Sequence, residues 1–413
     1  MTNPTKTTIP MSDKLAGVRY ELRGKVLAAA EKIEAAGEKV LKLHIGNPAP
    51  FNFHAPESLH ESVAAHLRDA QGYTSSKGLL SARTAIVDNL TARGVENIKA
   101  DNIFMGNGVS ELIVMACQAL LNNGDEVLIP APDYPLWTAA VRLAGGKAVH
   151  YLCDEAEDWF PSVDDMRAKL TPNTKAVVLI NPNNPTGAVY SEDRLKEIAT
   201  FAAENNLVVF SDEIYSRIVF DDAVFIPMAK IIQDLDSRVL CMSFDGISKN
   251  SFAAGFRCGW MTLSGDLDGA ADYITGLNML ASLRLCPNVP AMFAVEAALT
   301  QPDGMADLLA PGGRLYEQRA LAHRVVNSIP GMSCTMPKGA FYLFPKFDPK
   351  ALDIGNDEDF AMGLLQEHKV MIVPGTAFNY PTEDHFRIVF LSEIEELDMA
   401  VNAIKTFSIA RQG

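Results

Sequence analysis

Lys249 stands alone in SFDGISKNSFAAGFRCGW (243–260), with Arg257 eight positions on and mostly small or apolar residues around both. Most lysines are solvated surface groups. The alternative here is an amine kept from water for reaction, and the polar residues elsewhere decide between the two. Ligands of open parallel sheets bind beyond the carboxyl ends of the strands, and polar residues in this chain collect after apolar runs. NPNNPTG (181–187) follows KAVVLI, SDEIY (211–215) follows LVVF, DGISK (245–249) follows VLCMSF, and GNGVSE (106–111) follows IFM. GNGVSE opening a helix offers free backbone N–H groups and the Ser110 hydroxyl to an anion. NPNNPTG reads as a rigid loop aiming an amide side chain. Asp212, at the end of an apolar run, requires a cationic or donor partner if buried.

A lysine, an anion site, an acid and a tyrosine at neighbouring strand ends match the needs of pyridoxal 5′-phosphate. That cofactor requires an amine for a Schiff base and a carboxylate to keep its pyridine nitrogen protonated. Its ring oxygen takes phenol and amide donors, and its phosphate takes a helix terminus and an arginine.

The elements that would position these residues are legible as alternating patterns from about 77 to 300. Helical periodicity covers 78–92, 109–121, 135–144, 162–169, 192–205, 266–279 and 290–299. Between these lie apolar runs rich in β-branched residues at 126–130, 147–152, 175–181, 207–213, 238–244 and 256–263. Such alternation, with runs apolar on both faces, predicts an α/β layer with a mostly parallel sheet. Residues 21–36 read as a helix stopped by Gly37, and 41–51 as a short strand broken by Gly and Pro. After PDGMADLLAPGG (302–313), which reads as a boundary, come a helix (313–328), a pair of strands within 331–347, a helix (358–367), the strands KVMIVPG and HFRIVFL, and a closing helix (393–407). That order predicts a smaller α+β domain. The expected division is 1–60 as an N-terminal segment serving the small domain and covering the site, 61–305 as the large domain and 306–413 as the small one.

Composition sets outer limits. With 36 basic and 51 acidic residues in 413, the net charge is −15, which disfavours general nucleic-acid binding. The six cysteines form no CxxC pair and read as reduced core residues rather than a metal site. The polar N-terminus and the lack of an 18-residue apolar run lead to the expectation of a cytoplasmic protein that does not span a membrane.

The wording of the motifs resembles one family. LHIGNPAPF, GYTSSKGL, GNGVSELI, PAPDYPLWTAAV, INPNNPTGAVY, DEIY, AGFRCGW, PGGRLYEQR, KGAFYLFPK, PGTAFN and HFRIV, with the spacing from Asp212 to Lys249 to Arg257, are similar to fold-type I, class I aminotransferases over roughly residues 40–410. The likeness is greatest to the bacterial glutamate–pyruvate (alanine) aminotransferases. It implies an α/β fold with a seven-stranded-type, mostly parallel sheet sandwiched by helices, and a homodimer. It implies pyridoxal 5′-phosphate, amino-acid and 2-oxo-acid substrates, and ping-pong transfer of an amino group from glutamate to pyruvate, giving alanine and 2-oxoglutarate.

The resemblance also implies roles. Lys249 would be the Schiff-base lysine and general base, and Asp212 would pair with the pyridinium nitrogen. Tyr215 and Asn184 would donate to the ring oxygen, while Tyr134 would stack on the ring. Val109, Ser110, Ser248 and Arg257 would hold the phosphate, joined by Tyr73 from the partner subunit. Arg387 would clamp the substrate carboxylate, with Asn184 and the backbone of Gly46. Tyr20 and Arg23, in YELRG, would fold over the site.

Where the family usually reads in the manner of SKTYRVAGFR, this chain has SKNSFAAGFR. The change at Asn250–Phe252 keeps open a different amino-acid preference, or a lyase, decarboxylase or oxidase on the same fold. The further alternative, a ligand-sensing domain of a transcription regulator, is disfavoured by the charge and by the roughly 40 residues before LHIGNP, too few for a DNA-binding module.

Overall fold

The computed structural model describes residues 9–15, 18, 24–300 and 304–412. Its first strand, β1 (Leu41–Lys42), is not part of the main sheet. That sheet holds β2 (Ile103–Gly106), β3 (Glu126–Ala131), β4 (Lys147–Asp154), β5 (Phe160–Pro161), β6 (Thr174–Ile180), β7 (Val208–Asp212), β8 (Leu240–Gly246) and β9 (Gly259–Gly265). The spatial order is β2-β9-β8-β7-β6-β3-β4-β5. Strands β4, β3, β6, β7 and β8 are mutually parallel, and β9 runs antiparallel to β8 and β2. The sheet is therefore α/β and mostly parallel, as the sequence predicts. It has eight strands rather than the expected seven-stranded type, because two residues, Phe160–Pro161, add an antiparallel edge to β4. A strand that short leaves no periodic trace.

Every residue of β3 and nearly every residue of β6 is buried, as expected for central strands covered by helices on both faces. Side-chain caps start the helices where the pattern changes. Ser162 accepts from the Asp165 amide, Ser191 from Arg194 and Asn356 from Asp359. The predicted helix at 266–279 instead runs Ala271–Leu283, because Asp266 accepts from the Gly269 amide and closes a turn first. The one at 290–299 is split into Val289–Met292 and Ala294–Thr300. Short helices at Glu57–Ala65, Met228–Asp234 and Met305–Leu309 were not legible in the sequence, and the last lies inside the stretch read as a boundary.

The C-terminal part contains β10 (Met332–Ser333), β11 (Tyr342–Leu343), β12 (Lys346–Phe347), β13 (Val370–Met371), β14 (Val373–Pro374) and β15 (Phe386–Val389). Strand β15 lies between β11 and β14. Strand β1 pairs in parallel with β13, and the Val389 amide donates to the Leu43 carbonyl, so residues 41–43 lie among these C-terminal elements. Among the described residues no helix is long and apolar enough to cross a membrane. All six cysteines are free thiols, five of them buried.

Three glycines share one rung where β2 and β8 end and β9 begins: Gly106, Gly259 and Gly246. A Cβ on Gly259 would stand 2.8 Å from the Val109 nitrogen and 3.1 Å from the Gly108 carbonyl carbon. The backbone after β2 thus comes close to the start of β9 only because no side chain intervenes. Gly259→Ala is expected to destabilise the chain by about 1–3 kcal/mol, read as a lower urea midpoint with an unchanged slope. A loss within about 0.5 kcal/mol would mean this approach is not tight.

Candidate active site

Strand β8 ends at Gly246 and leads into a one-turn helix, Ile247–Asn250, that carries Lys249. The Lys249 Nζ donates to the Gly46 carbonyl, from the segment after β1. Burial, then the positive charges of Arg387 and Arg257, lower the Lys249 pKa to about 8. An amine tuned this way is neutral far more often near pH 7 than an ordinary lysine, which suits a nucleophile or proton acceptor.

Asp212 closes β7, opposite Phe244 of β8. It is only 3% exposed, and its oxygens accept from the Trp137 indole N–H at 3.0 Å and the Ile214 amide at 3.4 Å. Burial, with a smaller contribution from Asp245, raises its pKa to about 6. Two buried neighbours share this character: burial lifts Glu213 to about 7 and Asp245 to about 6. Asp212 is therefore a buried carboxylate with neutral donors and no ion pair among the described residues, a setting that favours a cationic partner.

Tyr215, three residues on, is buried, and its hydroxyl lies 2.6 Å from that of Tyr342 on β11. The Asn184 side chain, from the loop after β6, accepts at Oδ1 from Arg387 Nη1 at 2.9 Å, and its two N–H donors are unused among the described residues. Arg387 lies on β15, 3% exposed, with its other terminal nitrogen donating to the His44 carbonyl. Its guanidinium packs 4.5 Å from the Tyr342 ring centre and 4.7 Å from that of Phe378. Burial and Arg387 push His44 down to about 4, so this imidazole is neutral at pH 7 and adds no charge beside the guanidinium.

Strand β2 turns into the helix Val109–Leu120 through Gly108, whose φ of 83° is costly for other residues. No side chain caps this helix, which leaves its first amides available to a ligand. Arg257 reaches across to the turn, donating to the Asn107 carbonyl and to Ser110 Oγ, each at 3.3 Å. A Cβ on Gly108 would stand 2.3 Å from the guanidinium, so the glycine admits Arg257 as well as making the turn. Ser248 is 8% exposed and its hydroxyl has no partner among the described residues. An uncapped helix start, an exposed guanidinium and nearby hydroxyls can bind a phosphate-sized anion.

Lys249, Asp212, Tyr215, Asn184, Val109, Ser110, Ser248 and Arg257 thus lie at or just beyond strand ends of one sheet, and Arg387 lies on the C-terminal strand β15. Tyr134 is half-buried just before the helix Leu136–Leu143, which carries Trp137. Tyr73 is 82% exposed on this chain. Tyr20 and Arg23 lie outside the described residues. Asn250, Ser251 and Phe252, where the chain leaves the usual wording, are all buried, and the Phe252 ring lies 5.2 Å from Phe53.

Sequence pattern alone does not single out Trp137, Tyr342, Phe378 or His44. Trp137 falls one helical turn after Tyr134, a spacing that could have drawn attention to it. Tyr342 meets Tyr215 across 127 positions, for which the sequence holds no local signal.

The family model described as aminotransferase class I and II matches residues 38–404. The glutamate-pyruvate aminotransferase AlaA of Escherichia coli (strain K12) is 53% identical over 399 residues, covering 97% of this chain and 98% of that one. The alanine aminotransferase of Mycobacterium tuberculosis (strain ATCC 25618 / H37Rv) is 47% identical over 400 residues, covering 97% and 92%. The crystal structure of an aminotransferase from Escherichia coli superposes with a TM-score of 0.95 at 51% identity, over 98% of this chain and all of the other.

Burying Asp212 without an ion pair has a cost that shows in the pH dependence of stability. Unfolded, Asp212 loses its proton near 3.8, but folded it holds the proton to about 6. Between those values the native chain binds more protons, so this group makes stability fall as pH rises, and the full penalty stands above the folded pKa. Asp212→Asn should raise the urea midpoint of the ligand-free chain over wild type at about pH 8 and leave it close to wild type at about pH 3. A gain of equal size at both would assign the effect to something other than ionisation.

Proposed function

The chain belongs to the class I and II aminotransferases, and from that premise we propose that it moves an amino group from glutamate to pyruvate, giving alanine and 2-oxoglutarate, with pyridoxal 5′-phosphate at the strand ends around Lys249. The observation that carries the chemistry is the buried Asp212, whose partners are neutral donors. A pyridinium N–H is the kind of cationic donor this carboxylate lacks. The substrate pair rests on near full-length likeness to relatives named for it.

The donor set fits the cofactor. Lys249 would bond it covalently, Asp212 would face its ring nitrogen, and Tyr215 and the unused N–H of Asn184 would donate to its ring oxygen. Tyr134 would cover the ring. The amides at Val109 and Ser110, the hydroxyls of Ser110 and Ser248, and Arg257 would take the phosphate. Bound pyridoxal 5′-phosphate supplies an electron sink for the pair left when a substrate α-proton is removed.

The chain's own residues would do the rest. Asp212 holds negative charge under that sink. Lys249, its proton affinity lowered by burial and two arginines, takes the α-proton from one carbon and returns a proton to another. Arg387 fixes the substrate carboxylate by a two-pronged fork, helped by Asn184 and the backbone at Gly46, and so aims the α-hydrogen at the Lys249 amine. The rings of Tyr342 and Phe378 against Arg387 keep water from the fork and strengthen its hold. Ping-pong order follows from one site serving both amino and oxo acid in turn.

The proposal extends to assembly. Arg284 donates to the Ser76 carbonyl, which sets the exposed Leu283 and Leu285 beside the loop bearing Tyr73. We take this apolar surface as the contact with a second copy of the chain, with Tyr73 completing the partner's phosphate site. The division at 60/61 and 305/306, and action in the cytoplasm, belong to the same reading. The buried packing of Asn250–Phe252 gives no support to a lyase, decarboxylase or oxidase.

Borohydride treatment of the purified protein should fix the cofactor on the peptide containing Lys249. Lys249→Ala should abolish that adduct and slow the half-reactions with glutamate and alanine by roughly 100-fold or more. An adduct elsewhere would end the assignment. Arg387→Lys keeps the charge but loses the fork, and kcat/KM for both amino acids should fall roughly 10- to 100-fold. Undiminished values for either amino acid would show that its carboxylate is held elsewhere.

A further inference from the structure

Asn250 opens the stretch that differs from the family wording noted in the sequence, and its surroundings give it a task. Asn250 is 4% exposed, and all of its carboxamide is engaged. Its Nδ2 donates to Asp245 Oδ1 at 2.8 Å and to Ser216 Oγ at 3.0 Å, and its Oδ1 accepts from the Arg217 amide at 3.1 Å. Ser216 Oγ in turn donates to Asp245 Oδ2 at 3.0 Å, and the Gly246 amide to Asp245 Oδ1 at 2.6 Å. The result is a closed ring of hydrogen bonds. It joins the end of β8 (Asp245, Gly246), the lysine turn (Asn250) and the turn after β7 (Ser216, Arg217), which begins just past Asp212 and carries Tyr215.

We infer that Asn250 is a positioning residue for Lys249, stapling the lysine turn to the segment that presents Asp212 and Tyr215. The inference rests on Lys249 being the reactive amine, as proposed above. A helix of four residues has too few internal hydrogen bonds to hold its own shape. Its orientation must come from outside, and Asn250 is the side chain at its end that reaches both neighbouring strand ends.

The chemistry of the ring specifies an amide. An ionised Asp245 can only accept, so the group facing it must donate; the Arg217 amide donates, so the same side chain must also accept. A carboxylate at 250 would set two negative groups together. An alanine would leave Asp245, already a buried acid near Arg93 and Arg217, short of a donor.

The consequence falls on the amine. With the turn fixed, the Lys249 Nζ stays against the Gly46 carbonyl, facing Arg387 and Arg257 and away from water. With the turn loosened, the ammonium reaches solvent and recovers part of its ordinary proton affinity.

The test uses the full-length chain freed of cofactor. Competitive acetylation with acetic anhydride, quantified by mass spectrometry on the Lys249 peptide across pH, gives the titration midpoint of that one amine. Asn250→Ala, which adds no charge, should raise the midpoint by about one unit, so acetylation near pH 7 falls about tenfold. Asn250→Asp should raise it too, and adding Asp245→Asn, which restores a donor opposite an acceptor, should return it to the wild-type position. Should Asn250→Ala fail to fold, Ser216→Ala removes one link of the ring and should move the midpoint the same way by less.

A wild-type midpoint in folded Asn250→Ala would overturn the inference, as would a shift seen only with Asn250→Asp, which charge alone would cause. Failure of the double variant to restore the midpoint would also overturn it. Absence of borohydride capture at wild-type Lys249 would instead bring down the functional reading, and it is scored separately from the acetylation midpoints.

Discussion

A buried amine and a buried carboxylate on adjoining strand ends form no ion pair with each other, and the rest of the site is built around that separation. Paired, Lys249 and Asp212 would neutralise one another and return toward their fully charged states. Held apart, each bears the cost of desolvation, and each moves toward its neutral form, the amine down to about 8 and the acid up to about 6. The register of the sheet enforces the separation. Asp212 stops at the last rung of β7, while β8 continues two residues further before the lysine turn begins. The two positive groups that act on Lys249, Arg387 and Arg257, come from opposite quarters, one from the C-terminal strands and one from the loop before β9. Neither neutralises the amine; both depress its proton affinity. Stability is given up for a site in which opposite charges await a third body.

The parts of this site that the sequence reveals are those whose logic is local. A strand buried on both faces must place its first polar residues beyond its end, so Asp212, Asn184, Lys249 and the Gly-rich turn could be found by reading past each apolar run. Arg387 lay within a strand whose neighbours are all apolar, and only the resemblance of HFRIV to known wording singled it out. The partners that complete the geometry were out of reach. Trp137 joins Asp212 over 75 positions and Tyr342 joins Tyr215 over 127, and no periodicity encodes such meetings.

The fold divides in the same way. The long central strands and amphipathic helices carry enough residues to show a period. The C-terminal strands are two to four residues each; their apolar runs are legible as strands, but the division of 331–347 into three short strands and the break between β13 and β14 show only in the hydrogen bonds. Asn250 is instructive. As a departure from expected wording it suggested altered chemistry, but its amide is spent wholly on neighbours inside the protein. An unusual residue beside a reactive one can belong to the scaffold, and only its contacts decide.

The pairing of β1 with β13 ties Leu41 to Val370 and brings Gly46 and His44 to Lys249 and Arg387. On the ribosome this imposes an order. Roughly 330 residues must be synthesised between the two strands, which at 5–20 residues per second takes about 20 s to a minute. During that interval the large sheet can assemble while the amine of Lys249 has neither the carbonyl of Gly46 nor the charge of Arg387 over it. The beginning of the polypeptide waits for its end, and the contacts of Lys249 with Gly46 and of Arg387 with His44 form only after the last strands emerge.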